Sequence, residues 1–433
     1  MVASDHAIGS WLATFSSRRT GAGYVEVTID GGEPWQTPLG SEGREHRISL
    51  RGLYPGAAVE VTPVVTTGSG DDRGETVALA PEGLQGLPTV DVIVYEPDEV
   101  APGLVLTSLH GFDLSWPVIL DRQGRIVWGT LRGWASIPSP TLGSDGAIWF
   151  NPSAHHIEDY RFFVRTTPDG EELRLVNAPL QHHDFVELPD GTIAYLGVEV
   201  VEAEVDGVVV DVISDLVMEL PAGGLGAVAT RFALESVVDI ERPCEHFDDS
   251  HYGLDAHDWS HANSLLYLED DDQFLMMSKN LDALFAIDRQ TGGLVWQLGG
   301  AGSDFSTTSR PFSHAHMSDW WDGGMLVFDN AYHHEGQVSR VVEYAVDIEG
   351  RTYEEVWSFD HPEGAFVQSL GDARRLPNGN VLVSWHDERQ MMEVTRDGRI
   401  VWWIETSAEM GFARASWISG LYEATLDIEA SQQ

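Results

Sequence analysis

Apolar residues along most of this chain alternate with polar ones over short runs, in the two-residue period of β-strands. Many of these runs form pairs separated by a turn, often with Asp-Gly or Asn-Gly, the dipeptides that favour hairpins. Five such hairpins are TLGSDGAIWF (141–150), ELPDGTIAYL (187–196), LEDDDQFLMM (268–277), WWDGGMLVF (320–328) and RLPNGNVLVS (375–384). No stretch shows a convincing helical period, so the pattern predicts an all-β fold.

A second kind of hairpin, with a Trp or Leu near its end, recurs between the first. Its copies are ILDRQGRIVWGT (119–130), RTTPDGEELRLV (165–176), AIDRQTGGLVWQL (286–298), AVDIEGRTYEEVW (345–357) and EVTRDGRIVWWI (393–404), and residues 217–234 take the same place. Paired, the hairpins give five four-stranded units, residues 105–130 supply a sixth, and the period is about 45 to 80 residues. Such units predict a six-bladed β-propeller over residues 101–433.

The first hundred residues lack this repeat. YVEVTIDGG (24–32) is an alternating strand that runs into a turn, and HRISLRGLYPGAAVEVTPVV (46–65) reads as two strands joined by a Pro-Gly corner. This pattern predicts an N-terminal β-sandwich of the immunoglobulin or fibronectin type III kind over residues 1–100. The acidic, proline-containing segment YEPDEVAPG (95–103) marks the expected boundary.

Acidic residues dominate the charge of the chain: 69 Asp and Glu stand against 25 Lys and Arg, a formal net charge of −44. Such a surface repels phosphate backbones and anionic lipids, so we expect neither nucleic-acid binding nor membrane insertion. The bulk acidity is typical of a highly soluble protein or a saline habitat. Any site for an anionic substrate must therefore be locally positive.

Cys244 is the only cysteine, so an intramolecular disulfide is impossible. No apolar run approaches the roughly 20 residues of a membrane helix, and the N-terminus has no leader pattern. We expect a cytoplasmic location, or a periplasmic or secreted one if an export signal has been removed. The sequence leaves the oligomeric state open.

Polar residues that could take part in catalysis or binding, mostly histidines, lie just before the expected inner strands. They occur in QHHDF (181–185), DWSHANS (258–264), FSHAHMSDW (312–320) and GDARR (371–375), while Lys279 and His386 follow inner hairpins. In a propeller these positions meet at one mouth of the central channel. A single histidine of this kind is more often a satisfied loop residue, but several at equivalent positions favour a shared site.

The other histidine pairs, His155–His156 and His333–His334, are expected on the surface. No Gly-x-Ser-x-Gly elbow, Walker loop or dinucleotide fingerprint is present. The acidic runs 247–250 and 269–272 lack EF-hand spacing and are expected to be solvated turns.

Several segments together resemble the arylsulfotransferase (aryl-sulfate sulfotransferase) family, from about residue 105 to 405. They are DWSHANSLLYL (258–268), SKNLDALFAIDRQTGGLVWQLGG (278–300), FSHAHMSDW (312–320), GGMLVFDNA (323–331), SRVVEYAVD (339–347) and GDARRLPNGNVLV (371–383). The resemblance implies a β-sandwich before a six-bladed propeller. It also implies sulfuryl transfer from an aryl sulfate ester to a phenol through a sulfated histidine, with no cofactor required.

The same resemblance implies roles for particular residues. His316 matches the nucleophilic histidine, with His314 as its competitor, and Lys279 stands where the family usually has Arg. His261, Asn263 and Lys279 would hold the sulfonate oxygens, and His183 or His261 would move the phenolic proton. The remaining expected substrate-binding residues are His182, His314, His386 and Trp259.

Two other functions remain open from the sequence. His183, His261 and His316 would hold a divalent or transition metal on the propeller axis for a hydrolase, lyase or oxidoreductase reaction. Alternatively, the propeller would bind partners without catalysis, with the N-terminal sandwich as a docking module.

Overall fold

The protein is described by a computed structural model that covers residues 1–111, 114–134, 137–153, 161–224, 226–407 and 409–422. Strands dominate these residues, and the helices among them are three short 3₁₀ turns, Ala222–Gly224, Leu234–Ser236 and Glu245–Asp248. None of these turns is long or apolar enough to cross a membrane. The predicted all-β class is confirmed.

Six sheets follow one another along the chain and form the blades of a β-propeller, and their strands are antiparallel except for one short parallel pairing in blade three. Blade two has strands Ile137–Leu142, Ile148–Ser153, Phe162–Thr166 and Leu173–Asn177; blade three Gln181–Glu187, Ile193–Val205, Val208–Leu220 and Ala229–Ala233, with His257–Asp258 beside the third; blade four Ala262–Leu268, Gln273–Ser278, Ala283–Asp288 and Leu294–Gly299. Blade five has Met317–Trp321, Gly324–Asp329, Arg340–Asp347 and Thr352–Asp360; blade six Asp372–Arg375, Val381–Trp385, Gln390–Val394 and Ile400–Thr406. The predicted six-bladed propeller is confirmed.

Blade one closes the ring with strands from both ends of the propeller. Leu104–Gly111, Ser115–Leu120 and Ile126–Thr130 pair in sequence, and the C-terminal strands Met410–Phe412 and Ser416–Ile418 pair with the first of them as its inner neighbours. Because the two ends share one sheet, backbone hydrogen bonds between them close the ring. Arg414, between the two short strands, is thereby brought to the axis.

Hydrophobic clusters fill every interface between adjacent blades. Trp259 and Phe285 lie between blades three and four, Trp385 between five and six, and Trp402 between six and one. The remaining three interfaces have cores of the same kind. Middle strands such as Val381–Trp385 are buried on both faces, which accounts for their nearly continuous apolar sequence.

The hairpin turns behave as the Asp-Gly signal indicates. In blade three the carboxylate of Asp190 accepts a hydrogen bond from the Thr192 amide at 2.9 Å, and Gly191 has φ 77°, a conformation that glycine adopts without steric cost. This turn sets the register of Gln181–Glu187 against its neighbour and thus holds the start of the inner strand at the axis.

The N-terminal region is built around one long strand, Ser10–Ile29. It pairs with Val2–Ala3, Trp35–Gln36, Glu42–Arg51 and Val59–Thr67, and the last of these pairs with Gly70–Arg73 and Val77–Leu79. The seven strands form one connected sheet with its own apolar core. Its likeness to an immunoglobulin or fibronectin type III sandwich stays a prediction.

Strand pairing crosses the predicted division into residues 1–100 and 101–433 in two places. Val90–Tyr95 adds a fifth strand to the outer edge of blade six, and Ala7–Ile8 adds one to blade one. These two strands attach the N-terminal region to the outside of the propeller, away from the inner strands.

Candidate functional site on the propeller axis

Three histidines come together on the axis: His183 lies at the bulge of the inner strand Gln181–Glu187, and His261 and His316 directly precede the inner strands of blades four and five. The ring centres of His183 and His261 are 5.0 Å apart, and those of His183 and His316 are 6.3 Å apart. His183 and His261 have positive φ angles of 44° and 48°, and His314, two residues before His316, has 49°. Non-glycine residues rarely adopt this conformation, and its recurrence shows that blades three, four and five build the same turn.

His316 is nearly buried, and its ring is oriented by the neighbouring blade. Its Nδ1 lies 2.9 Å from the carbonyl oxygen of Gly371. Burial, followed by the positive charge of Arg414, holds the pKa of His316 well below its usual value of 6.5. The ring is therefore neutral, Nδ1 must carry the proton that the carbonyl accepts, and Nε2 keeps a free electron pair.

His261 forms a carboxylate–imidazole pair with Asp258. Its Nδ1 lies 2.6 Å from Oδ2 of Asp258, which is fully buried. Burial raises the pKa of the Asp258 carboxyl. Burial and then the charge of Lys279 hold the pKa of His261 well below 6.5. The pair fixes the tautomer of His261 with the proton on Nδ1 and orients the ring toward the axis.

A third chain of contacts supports His183. Nε2 of His182 lies 3.1 Å from the buried Asp215 carboxylate and 3.2 Å from the Gly197 carbonyl, so this nitrogen donates. Nδ1 of His182 lies 3.0 Å from Nδ1 of His183. The Tyr252 hydroxyl lies 3.3 Å from both of these nitrogens. Burial first, then the charges of the neighbouring histidines, lower the pKa of His183 well below 6.5.

Two cations flank the imidazoles. The Lys279 ammonium makes no hydrogen bond or ion pair within the part of the chain that the structure describes, and burial lowers its pKa. Arg414, only 5% exposed, donates to the Ser139 hydroxyl at 2.9 Å and to the carbonyls of His183 and Asn263 at 3.2 and 3.3 Å. Its Nη1 is buried with no hydrogen-bond partner among the described residues. Its Nη2 also lies 3.8 Å from Oδ1 of Asp184, so the two cations stand among buried carboxylates, and the donors left for an anion among the described residues are the Lys279 ammonium and Nη1 of Arg414.

Other predicted site residues lie close to this group. Asn263 is fully buried and donates through Nδ2 to the Ala315 carbonyl at 3.1 Å, which turns its amide toward the loop that carries His316. His386 is held by Asp387, with its Nδ1 2.9 Å from the carboxylate, and lies close enough to His316 to act on the pKa of that ring. His182 lies behind His183 and orients it rather than facing the axis.

Trp259 corrects the sequence-based expectation. Expected among the substrate-binding residues, it is completely buried in the apolar core between blades three and four. It therefore packs the blades and presents no face to the axis.

His314 departs from expectation. The ring of His314 stacks on Tyr332 with centres 4.7 Å apart, and its Nε2 lies 3.6 Å from Cys244 Sγ, so it faces this group and not a substrate beside His316. His333 is exposed, as expected, and lies beside His314, with ring centres 4.5 Å apart. His155 and His156 lie outside the described residues.

Sequence reasoning missed Tyr252 and Arg414. Tyr252 lies in the sequence HYG, shortly before DWSHANS. The other segments before inner strands were recognised by their histidines, and the only signal for Tyr252 is that it lies in the same connecting segment as DWSHANS. Arg414 reaches the axis because the C-terminal strands close the ring, and nothing in the local sequence indicates that closure.

The metal alternative is not favoured. Among the described residues, two groups bring three ligand atoms within 4.8 Å of one another: Cys244 with His314 and His333, and His251 with Asp258 and His261. The predicted set of His183, His261 and His316 is not one of these groups.

Fold and site define a six-bladed propeller protein whose axis carries neutral imidazoles between two cations, an arrangement suited to nucleophilic chemistry on an anion. A family model described as Arylsulfotransferase (ASST) matches residues 89–386. The chain belongs to this family. The resemblance seen in the sequence is thereby confirmed.

Several solved structures match the chain at low identity. The β-propeller domain of Cps50 (Swd1) from Myceliophteria thermophila is 12% identical, with a TM-score of 0.42, over 76% of this chain and 93% of that one. An auxiliary nutrient binding protein from Bacteroides ovatus is 10% identical, with a TM-score of 0.40, over 91% and 84%. A streptogramin B lyase is 13% identical, with a TM-score of 0.37, over 72% and 86%. No curated protein matches the chain.

Proposed function

We propose that this protein is a nucleotide-independent sulfotransferase that moves a sulfuryl group from an aryl sulfate ester to a phenol by way of sulfated His316. Membership of the arylsulfotransferase family supports this class of reaction. The observation that carries it is the contact between His316 Nδ1 and the Gly371 carbonyl, because it leaves Nε2 as the nucleophilic nitrogen of a neutral ring.

The transfer takes two balanced steps. In the first, the electron pair on His316 Nε2 attacks sulfur, the bond from sulfur to the aryl oxygen breaks, and its electrons leave with the phenolate. In the second, the acceptor phenol loses its proton to a base, its oxygen attacks sulfur, and the N–S bond returns its electrons to Nε2. Sulfuryl transfer resembles phosphoryl transfer in its loose transition state, so positioning and charge supply most of the catalysis.

Lys279 and Arg414 are the proposed binding groups for the sulfonate oxygens. The Lys279 ammonium and Nη1 of Arg414 both carry N–H groups that are free to donate to a bound anion. Burial strengthens such charge-assisted hydrogen bonds. The Asn263 amide would supply a neutral donor. Arg414 also offers the planar fork that is lost where Lys279 replaces the family's usual Arg.

His261 is the proposed proton carrier rather than His183. The Asp258 carboxylate, 2.6 Å from His261 Nδ1, would stabilise the imidazolium that forms when Nε2 takes the acceptor's proton. Nδ1 of His183 instead faces the rings of His182 and Tyr252. A bound sulfate ester would favour the same charged form, because its negative charge raises the pKa of nearby imidazoles.

The test is a transfer assay with p-nitrophenyl sulfate as donor and phenol as acceptor, without any nucleotide. We expect release of p-nitrophenolate to depend on phenol and phenyl sulfate to form in equal amount. His316→Ala should abolish both, whereas His334→Ala, a substitution outside the axis, should not. Release of inorganic sulfate at a rate independent of phenol, or full transfer by His316→Ala, would contradict the proposal.

The donor and acceptor of the natural reaction and the expectation that no cofactor is needed stay predictions. The same holds for the location, which is periplasmic or secreted if an export signal has been removed and cytoplasmic otherwise.

A further inference from the structure

A cluster beside the axis, separate from the residues proposed for sulfuryl transfer, joins three segments of the chain. Cys244 lies between blades three and four, His314 precedes the inner strand of blade five, and His333 follows the second strand of that blade. One ligand atom from each lies within 4.8 Å of the others. We infer that Cys244, His314 and His333 form a zinc site, which stands or falls independently of the sulfotransferase activity.

The distances within the cluster suit zinc. Cys244 Sγ and His314 Nε2 are 3.6 Å apart. Two ligands on one tetrahedral Zn²⁺, with Zn–S near 2.3 Å and Zn–N near 2.0–2.1 Å, would be roughly 3.6 Å apart. The sulfur and nitrogen are therefore already spaced as co-ligands before any ion binds.

Asp282 orients both histidines of the cluster. Its Oδ2 lies 2.9 Å from His333 Nδ1, which leaves Nε2 of that ring for the ion, and its Oδ1 accepts the backbone amide of His314 at 2.6 Å. A carboxylate behind a metal-binding histidine is the usual outer support of such sites. Tyr332 stacks on the His314 ring with an interplanar angle of 15° and holds its plane.

The donor set restricts the class of ion. One thiolate and two imidazoles suit Zn²⁺ and other transition metals such as copper, and they disfavour Ca²⁺ and Mg²⁺, which take oxygen ligands. Three protein ligands leave the fourth position for water or an added ligand. The Cys244 thiolate and the Asp282 carboxylate offset the charge of the ion in the neighbourhood of Lys279.

The bound ion would tie the segment containing Cys244 to blade five. That same segment continues to Tyr252, whose hydroxyl contacts His182 and His183. Zinc would therefore hold Tyr252 against the axial histidines and stabilise the folded protein by preferential binding to it.

The test uses the full-length, untagged protein, stripped with a chelator and then titrated with Zn²⁺ or Co²⁺. We expect one Zn²⁺ per chain by elemental analysis, a rise in melting temperature on Zn²⁺ addition, and a thiolate-to-metal charge-transfer band with Co²⁺. Cys244→Ser should lose the band and the thermal shift. His333→Ala should weaken Zn²⁺ binding by at least about ten-fold.

His334→Ala is the matched control, since His334 neighbours His333 but is not part of the cluster. It should keep the band, the stoichiometry and the thermal shift. The partly exposed His333 provides a second variant if Cys244→Ser does not fold. Absence of Zn²⁺ binding would overturn the site. Zn²⁺ binding that is the same in the unmodified protein, Cys244→Ser and His333→Ala would also overturn it and would show that the ion binds elsewhere.

Discussion

Nδ1 of His316 lies 2.9 Å from the carbonyl oxygen of Gly371, a contact that joins blade five to blade six. Gly371 has φ 95°, and a Cβ there would come within 2.2 Å of the Phe328 ring, so only glycine allows this backbone position. The orientation of the proposed nucleophile thus depends on the packing of two adjacent blades and on a residue without a side chain.

Asp258→Asn should damage transfer while leaving the fold in place. The amide that replaces the carboxylate can donate to His261 Nδ1, which would move the ring proton to Nε2 and remove the base. We expect kcat to fall by about 10²- to 10⁴-fold. Steady-state assays with p-nitrophenyl sulfate and phenol measure this, with the exposed Asp249→Asn as control, and an unchanged kcat would exclude His261 as the proton carrier.

Lys279→Gln and Arg414→Gln should each weaken catalysis through loss of a cation beside the sulfonate. Removal of one such buried donor lowers kcat by about 10²- to 10³-fold. Lys279→Arg should keep most of the activity, because it retains the charge and restores the planar fork. Arg399→Gln, an exposed substitution, is the control. If Arg414→Gln had the activity of the unmodified protein, the guanidinium would serve only to hold the His183 and Asn263 carbonyls.

The repeated blades could be predicted because each one has local sequence signals. Asp-Gly turns and alternating strands such as 187–196 identify hairpins, and hairpins in series identify blades. Ring closure could not be predicted, because Met410–Phe412 and Ser416–Ile418 are only three residues each. They form strands of blade one only by pairing with the distant strand Leu104–Gly111. Short strands with distant partners have no periodic signal of their own.

The site likewise has residues that local sequence indicates and residues that it does not. His183, His261 and His316 were predicted to gather because each comes near the start of an inner strand, and Lys279 because it follows one; the structure brings them together. Arg414 depends on ring closure, so the repeat does not indicate it. Trp259 was placed near the axis by its sequence position, but the sequence does not show on which side of the loop its ring lies.

Stability should fall as the pH drops below about 6.5. The folded pKa values of His183, His261 and His316 lie well below that ordinary value, so the unfolded chain binds more protons in the window between them. The stabilising contribution is therefore complete above pH 6.5 and is lost as the pH falls toward the folded pKa. Each such histidine contributes up to about 1.4 kcal/mol per pH unit.

Urea-unfolding midpoints at neutral and mildly acid pH measure this effect. The many acidic residues titrate as well, so the informative quantity is the difference between the native protein and His316→Gln, which should show a shallower loss. His334→Gln should behave as the native protein does. Equal pH dependence in the native protein and His316→Gln would mean that His316 is not held neutral by the fold.

The most direct measurement is peptide mapping after brief exposure to p-nitrophenyl sulfate without an acceptor. The account predicts an added sulfuryl group on His316, located by fragmentation, that disappears when phenol is added; His314→Gln should keep the adduct and His316→Gln should lose it. Release of p-nitrophenolate with no adduct on His316, or an adduct located on another histidine, would contradict the account.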